Sequence, residues 1–255
     1  MTRRSVGAAC LLAVVGAGVL SACGGGATGG TPAAGASSVT PTPSPPPCAE
    51  TSRCYAFAQD TEGWPDVNDD AHYANHDAYL DGTFRVGARE SGTYILTAPI
   101  AASALAKDYG VRIEADATMG QAFPEDGAWG AACWTRALEE GGYAGFGAYV
   151  QPTRVTLGIF DEDTGAFTPL EHNDVGGLVK ARSVNHLRLT CRQDTSEGSA
   201  TADLAVELNG EKVVSMSYGG DVGDLGWEAA DGVGLLAAGK DADVFFDNVE
   251  ISGKP

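Results

Sequence analysis

The chain has 255 residues, with 34 acidic against 16 basic side chains and a formal net charge of −18 at neutral pH. A balance this acidic repels phosphate backbones and anionic headgroups, which argues against a nucleic-acid partner and against membrane contact made through charge. No Walker-type loop, dinucleotide fingerprint or strand–helix alternation is present, which argues against nucleotide enzymology.

The amino-terminal stretch carries Arg3 and Arg4 and then an apolar run over residues 6–20. That run is too short to hold a bilayer-spanning helix and reads as a signal-peptide core. It ends in Leu20-Ser21-Ala22-Cys23, which resembles the lipobox of bacterial lipoproteins. The resemblance implies cleavage before Cys23, a thioether-linked diacylglycerol on its sulfur and acylation of the new amino terminus. Two or more acyl chains anchor a protein stably, whereas one does so only marginally. The expected location is the extracellular face of the cell membrane, with the lipid on Cys23 as the link to it. Loss of residues 1–22 leaves 14 basic and 34 acidic side chains, a net charge of −20.

Residues 24–47 lack apolar periodicity and end in Pro41-Thr42-Pro43-Ser44-Pro45-Pro46-Pro47. The glycine-rich half should be coil and the proline half extended, a tether reaching at most roughly 70 Å at about 3 Å per residue. The chain therefore reads as signal peptide 1–22, lipidated tether 23–47 and folded domain 48–255. Cys10 leaves with the signal peptide and Cys23 carries lipid, so Cys48, Cys54, Cys133 and Cys191 remain. An even number outside the cytoplasm suggests two disulfides, for which three pairings are formally possible. Closeness in sequence favours Cys48–Cys54, and the strand-like settings of the other two favour Cys133–Cys191. No Cys-x-x-Cys is present, which argues against zinc.

From residue 48 onward the pattern has a period of two. Val111, Ile113, Ala115 and Ala117 alternate with Arg112, Glu114 and Asp116, as in a half-buried strand. The same alternation recurs in Val155-Leu157-Ile159, Leu187-Leu189-Cys191 and Leu204-Val206-Leu208, and in Val244-Phe246 before a shift of phase toward Val249-Ile251. Asn209-Gly210 predicts a tight hairpin, since type I′ turns need residues that accept positive φ. The run Asp161-Glu162-Asp163-Thr164-Gly165 predicts a second hairpin. It is not an EF-hand loop, because His172 stands where the distal calcium-binding Glu belongs. Only residues 99–107 look helical.

Three stretches together resemble a known architecture: Asn185-His186-Leu187-Arg188-Leu189-Thr190-Cys191, Val206-Glu207-Leu208-Asn209-Gly210-Glu211-Lys212-Val213 and Val244-Phe245-Phe246-Asp247-Asn248-Val249-Glu250-Ile251. They resemble concanavalin A-like, laminin G-like jelly rolls, and more closely the extracellular sensor-type domains of bacterial lipoproteins and receptor serine/threonine kinases. There a Gly-x-x-Cys-x-Arg-like strand precedes the Asn-x-Leu strand. Here Gly130-Ala131-Ala132-Cys133-Trp134-Thr135-Arg136 has one extra residue before the arginine. The resemblance covers residues 55–253 and implies an all-β, two-sheet antiparallel jelly-roll sandwich, with Cys133 and Cys191 on neighbouring strands.

Glycosidases of this superfamily carry Glu-x-Asp-x-x-Glu on one strand. Glu114-Ala115-Asp116-Ala117-Thr118-Met119 begins that pattern and ends in methionine, leaving no proton donor. No catalytic residue is therefore assigned, and a glycosidase-like enzyme using Glu114 and Asp116 stands as the alternative. His72, His76 and Asp77 read as surface-loop residues rather than a metal site. Asp60 and Asp247, beside Asn248, are candidates for a structural calcium between the first and last strands. Among Trp64, Trp129, Trp134, Tyr143, Tyr149 and Trp227, the glycine-flanked Trp227 and Tyr143 are the candidates for stacking on a sugar. The expected function is a noncatalytic, monomeric binding or sensing module for a glycan or other envelope component. A protein-interaction scaffold is a second alternative.

Overall fold

The computed structural model describes residues 48–49, 52–57, 63–70, 72–77, 82–97, 110–121, 123–137, 143–161, 166–194, 201–219 and 232–253. All of them fall in the second of two compact units, residues 46–255. Among the described residues there are strands and no helix, and residues 99–107 and the turn 162–165 lie outside them.

The larger sheet runs in the order β13 (Glu211–Tyr218), β12 (Thr201–Leu208), β11 (Asn185–Asp194), β6 (Gly110–Met119), β15 (Ala242–Gly253), β4 (Thr83–Ala88), β3 (His72–Asp77) and β2 (Val67–Asn68). Strand β1 (Ser52–Tyr55) also pairs with β15, so the first and last strands meet. The smaller sheet runs β10 (Ala166–Asp174), β9 (Arg154–Asp161), β8 (Tyr143–Val150), β7 (Ala128–Ala137), β14 (Gly232–Ala238) and β5 (Thr93–Thr97). Every pairing is antiparallel. This is the expected two-sheet jelly-roll sandwich.

Period-two alternation builds its interior. On β6, Val111, Ile113, Ala115, Ala117 and Met119 are buried while Arg112, Glu114, Asp116 and Thr118 stay partly exposed. The two inner faces meet in one core, where the Trp129 and Phe246 rings lie 6.5 Å apart and those of Phe146 and Tyr218 5.6 Å apart. The phase shift in the last strand is a β-bulge between Asp247 and Glu250, with Asn248 at φ 48°. Asn209 and Gly210 turn β12 into β13 at φ 52° and 84°, as a type I′ turn requires. Strands β9 and β10 pair from Asp161 and Ala166 outward, which confirms the second hairpin.

Both disulfides form as expected, Cys48–Cys54 and Cys133–Cys191. The implied setting of the second needs correction. Cys133 is on β7 and Cys191 on β11, strands of opposite sheets, so the bond crosses the core. Both cysteines occupy fully buried positions, which is why they meet across the sandwich and not along one sheet. Their Cα atoms are 6.6 Å apart. That is closer than the roughly 10 Å spacing of stacked sheets, so the sheets converge there.

Candidate functional site

The outer face of the larger sheet gathers the charged residues. Strand β6 lies between β11 and β15, with Glu114 opposite Arg188 and Glu250, and Asp116 opposite His186 and Asp247. Outward-facing positions recur every second residue, so Glu114 and Asp116 emerge side by side. Two adjacent carboxylates repel unless neighbouring strands supply cations or donors.

They do so here. Arg188 Nε and Arg112 Nε each stand 3.0 Å from Glu114 Oε1, as ion pairs rather than aligned hydrogen bonds. A terminal nitrogen of Arg188 donates to Glu114 Oε2 at 3.3 Å, and another donates to Glu207 Oε2 on β12 at 2.7 Å. His186 faces both acids, with Nε2 3.3 Å from Glu114 Oε2 and Nδ1 2.9 Å from Asp116 Oδ1. The second Asp116 oxygen accepts from Asn248 Nδ2 at 2.9 Å. The bulge delivers this contact, because it turns Asn248 outward beside Asp247, whose Oδ1 accepts from the Asn248 backbone N–H at 2.7 Å.

The Glu114 side chain is only 15% exposed. Burial alone would raise its pKa, but the hydrogen bond and charge of Arg188, with the charges of Arg112 and His186, hold the carboxyl below its usual range. The bond to Glu114 in turn pushes the Arg188 guanidinium up. Met119, in place of the third acid, is 7% exposed and belongs to the core side of the strand.

A second cluster occupies the same sheet on the far side of β15. Arg85 on β4 grips Asp243 through two contacts of 2.7 and 3.0 Å. Its guanidinium also lies 4.6 Å from the Tyr73 ring centre and 5.7 Å from that of Phe245. Tyr73 lies across Gly87, where a Cβ would stand 2.1 Å from the ring. Burial, followed by the Asp243 charge and hydrogen bond, pushes the Tyr73 hydroxyl up to about 12 against the pull of Arg85.

The other residues singled out in the sequence are dispersed. Trp227 and Asp60 lie outside the described residues, and Tyr143 begins β8. Trp64 and Trp129 are buried at 2% and 0% exposure, and Tyr149 at 5%, so these three are core residues. His72 pairs with Asp69 across 3.7 Å. Among the described residues no group of three or more His, Cys, Asp and Glu side chains is positioned to hold a metal ion.

The residues that sequence reasoning missed are His186 and Arg188, and Asn248, singled out beside Asp247 for a calcium site, instead bonds Asp116. The outward phase of His186 and Arg188 on β11 could have been read from the alternation that located the strand, whereas Asn248 faces outward only through the bulge. Asn185 has a different role. Fully buried, it accepts from Lys180 N at 2.7 Å and donates to Lys180 O at 2.9 Å and Ser183 O at 3.0 Å. Asn209 joins it at 3.2 Å and donates to Leu178 O at 2.8 Å. These two asparagines, part of the pattern behind the family resemblance, fix a loop.

No family model and no curated protein sequence matches the chain. Solved structures similar to it include the carbohydrate binding module CBM66 from Bacillus subtilis, at 16% identity over 80% of this chain and 96% of that one, with a TM-score of 0.43. A carbohydrate esterase from the Shiga toxin-encoding bacteriophage phi24B is 13% identical over 79% of this chain and 97% of that one, with a TM-score of 0.45. The family 7 alginate lyase A1-II′ is 15% identical over 73% of this chain and 82% of that one, with a TM-score of 0.41.

Proposed function

We propose that the domain is a noncatalytic glycan-binding module, held on a lipid anchor at Cys23, and that its binding face is the outer face of the larger sheet around Asp116, His186 and Asn248. The observation that carries this reading is the mutual fixing of planar polar groups along β11, β6 and β15. Sugar hydroxyls are recognised by carboxylate, carboxamide, imidazole and guanidinium groups whose positions are set before binding. Here each such group is held by its neighbours, as in the Asn248–Asp116–His186 chain of 2.9 Å contacts. Phe245, opposite Thr118 on the same face, adds an apolar ring beside the polar row.

The noncatalytic part rests on the missing proton donor. A retaining glycosidase needs an ionised nucleophile and a carboxylic acid kept protonated by a raised pKa. Glu114, whose carboxyl is held below its usual range, meets only the first need, and Met119, where the pattern has its acid, is buried on the core side of the strand. Glycan-array binding by the full chain, lost on Asp116→Ala, tests the binding reading. Incubation with a retained glycan should release no new reducing ends. Hydrolysis abolished by Glu114→Gln would instead make this the glycosidase-like enzyme, and crosslinking to one envelope protein without glycan binding would make it a scaffold.

A further inference from the structure

At one end of the sandwich, loops from both sheets line a half-open pocket of about 210 Å3 whose charged residues Glu125 and Arg182 are exposed. Met119, Phe123, Pro124 and Val179 give it apolar walls, and Glu125 and Arg182 bring one charge of each sign to its lining. It shares no residue with the polar row on the sheet face. Among the described residues no ion pair or hydrogen bond joins Glu125 to Arg182 or occupies either side chain.

Both walls are formed in advance. On one side Gly120 N donates to Asp243 O at 2.7 Å, Phe123 N to Gly120 O at 3.2 Å and Gly127 N to Pro124 O at 3.0 Å, which fixes Gly120, Phe123, Pro124 and Gly127 relative to one another. Gly127 lets that wall close, since a Cβ there would stand 2.7 Å from Pro124 Cγ. On the other side the buried Asn185 side chain clasps Lys180 and Ser183, and Asn209 clasps Leu178. At the apex of the clasped loop Arg182 is held at φ 58°, a conformation that glycine adopts freely and other residues resist. The chain thus keeps a long cation at a position where glycine would relieve strain. Conformations of this kind cluster at functional sites.

We infer that this cavity binds a small zwitterion of amino-acid size with an apolar side chain, its carboxylate at Arg182 and its ammonium at Glu125. The two lining charges decide the class. A purely anionic ligand would meet Glu125 and a purely cationic one would meet Arg182, whereas a zwitterion satisfies both. Arg182 suits the carboxylate because its planar fork donates two parallel hydrogen bonds. The volume lies below the 300–1,000 Å3 of sites for drug-sized ligands, which fits a single residue rather than a chain.

Calorimetric titration of the full chain with L-leucine, N-acetyl-L-leucine, L-leucinamide and D-galacturonate tests this. Leucine should bind, and the two singly charged derivatives and the sugar acid should bind at least tenfold more weakly. Arg182→Gly and Glu125→Gln should each weaken leucine binding at least tenfold. Arg182→Gly should do so with an unchanged or raised melting temperature, because glycine accepts the backbone conformation. Asp116→Ala should leave leucine binding unchanged, so the two sites can fail separately. No leucine binding, equal binding of either derivative, preference for galacturonate, or full affinity in Glu125→Gln would overturn the assignment.

Discussion

His186 Nδ1 stands 2.9 Å from Asp116 Oδ1, across the pairing of β11 with β6. The same ring turns its other nitrogen toward Glu114, so one imidazole spans the two carboxylates that alternate along the strand. This arrangement turns an acidic pair into a fixed polar surface, and it sets what acid should do to the fold.

Because Glu114 has its carboxyl pKa held below the ordinary 4.5, its ionised form favours the folded state. The sign follows from linkage: this stability is present above 4.5 and is lost as pH falls through the lowered folded value. Denaturant melts between pH 7 and pH 2 should show that loss on the acid side, and Glu114→Gln should flatten it. At neutral pH the same variant should cost about 1–2 kcal/mol through its lost charged contacts.

Tyr73 predicts the opposite end of the scale. Its pKa, pushed up to about 12 from 10.0, favours the neutral phenol in the folded protein. That stability is present below pH 10 and is lost as pH rises through about 12. Absorbance titration should find a late-ionising component that Tyr73→Phe removes, and the same variant should blunt alkaline destabilisation.

Gly130 and Gly176 form a matched test of packing. A Cβ on Gly130 would stand 1.8 Å from the backbone oxygen of Ala148, whereas one on Gly176 meets nothing within 4 Å. Gly130→Ala should destabilise by about 3 kcal/mol or more, because backbone and not a flexible side chain must give way. Gly176→Ala should stay within about 0.5 kcal/mol, both read from denaturant midpoints.

Removing the core-spanning disulfide with a Cys133→Ala, Cys191→Ala pair should cost about 4 kcal/mol, against about 2 for the seven-residue ring closed by Cys48–Cys54. The longer loop, of sequence separation 58, restrains more of the unfolded chain. Equal losses in thermal melts would show that native packing, not chain restraint, sets the difference.

The anchor is tested on its own. Cys23→Ser should abolish palmitate incorporation and shift the protein from the membrane to the soluble fraction. Unchanged membrane partition would remove the anchor from the proposal.

The strands were legible where alternation was clean, as on β6, β11, β12 and β15, and so was the Asn209-Gly210 turn. Even the bulge left a trace, since the phase shift between Phe246 and Val249 marks the one extra residue that turns Asn248 outward. What surrounds Glu114 was not legible. Its partners Arg188 and His186 come from more than 70 residues away, and the register of β11 against β6 depends on the whole sheet. The pairing of Cys133 with Cys191 was legible but its path across the core was not, since strand phase says which residues face inward but not which sheet each strand joins. Trp64 and Trp129 could equally have been platforms or core until the packing buried them. The cavity at the loop end left no periodic signal, because turn hydrogen bonds and the side chains of Asn185 and Asn209 build it.

The most direct test is calorimetric titration of the full chain with envelope glycans, repeated on Asp116→Ala and Asn248→Ala. At least one glycan should bind, and each substitution should weaken it tenfold or more, about 1.4 kcal/mol, with the melting transition still cooperative. Failure to bind any glycan, or equal affinity in both variants, would contradict a binding face centred on Asp116.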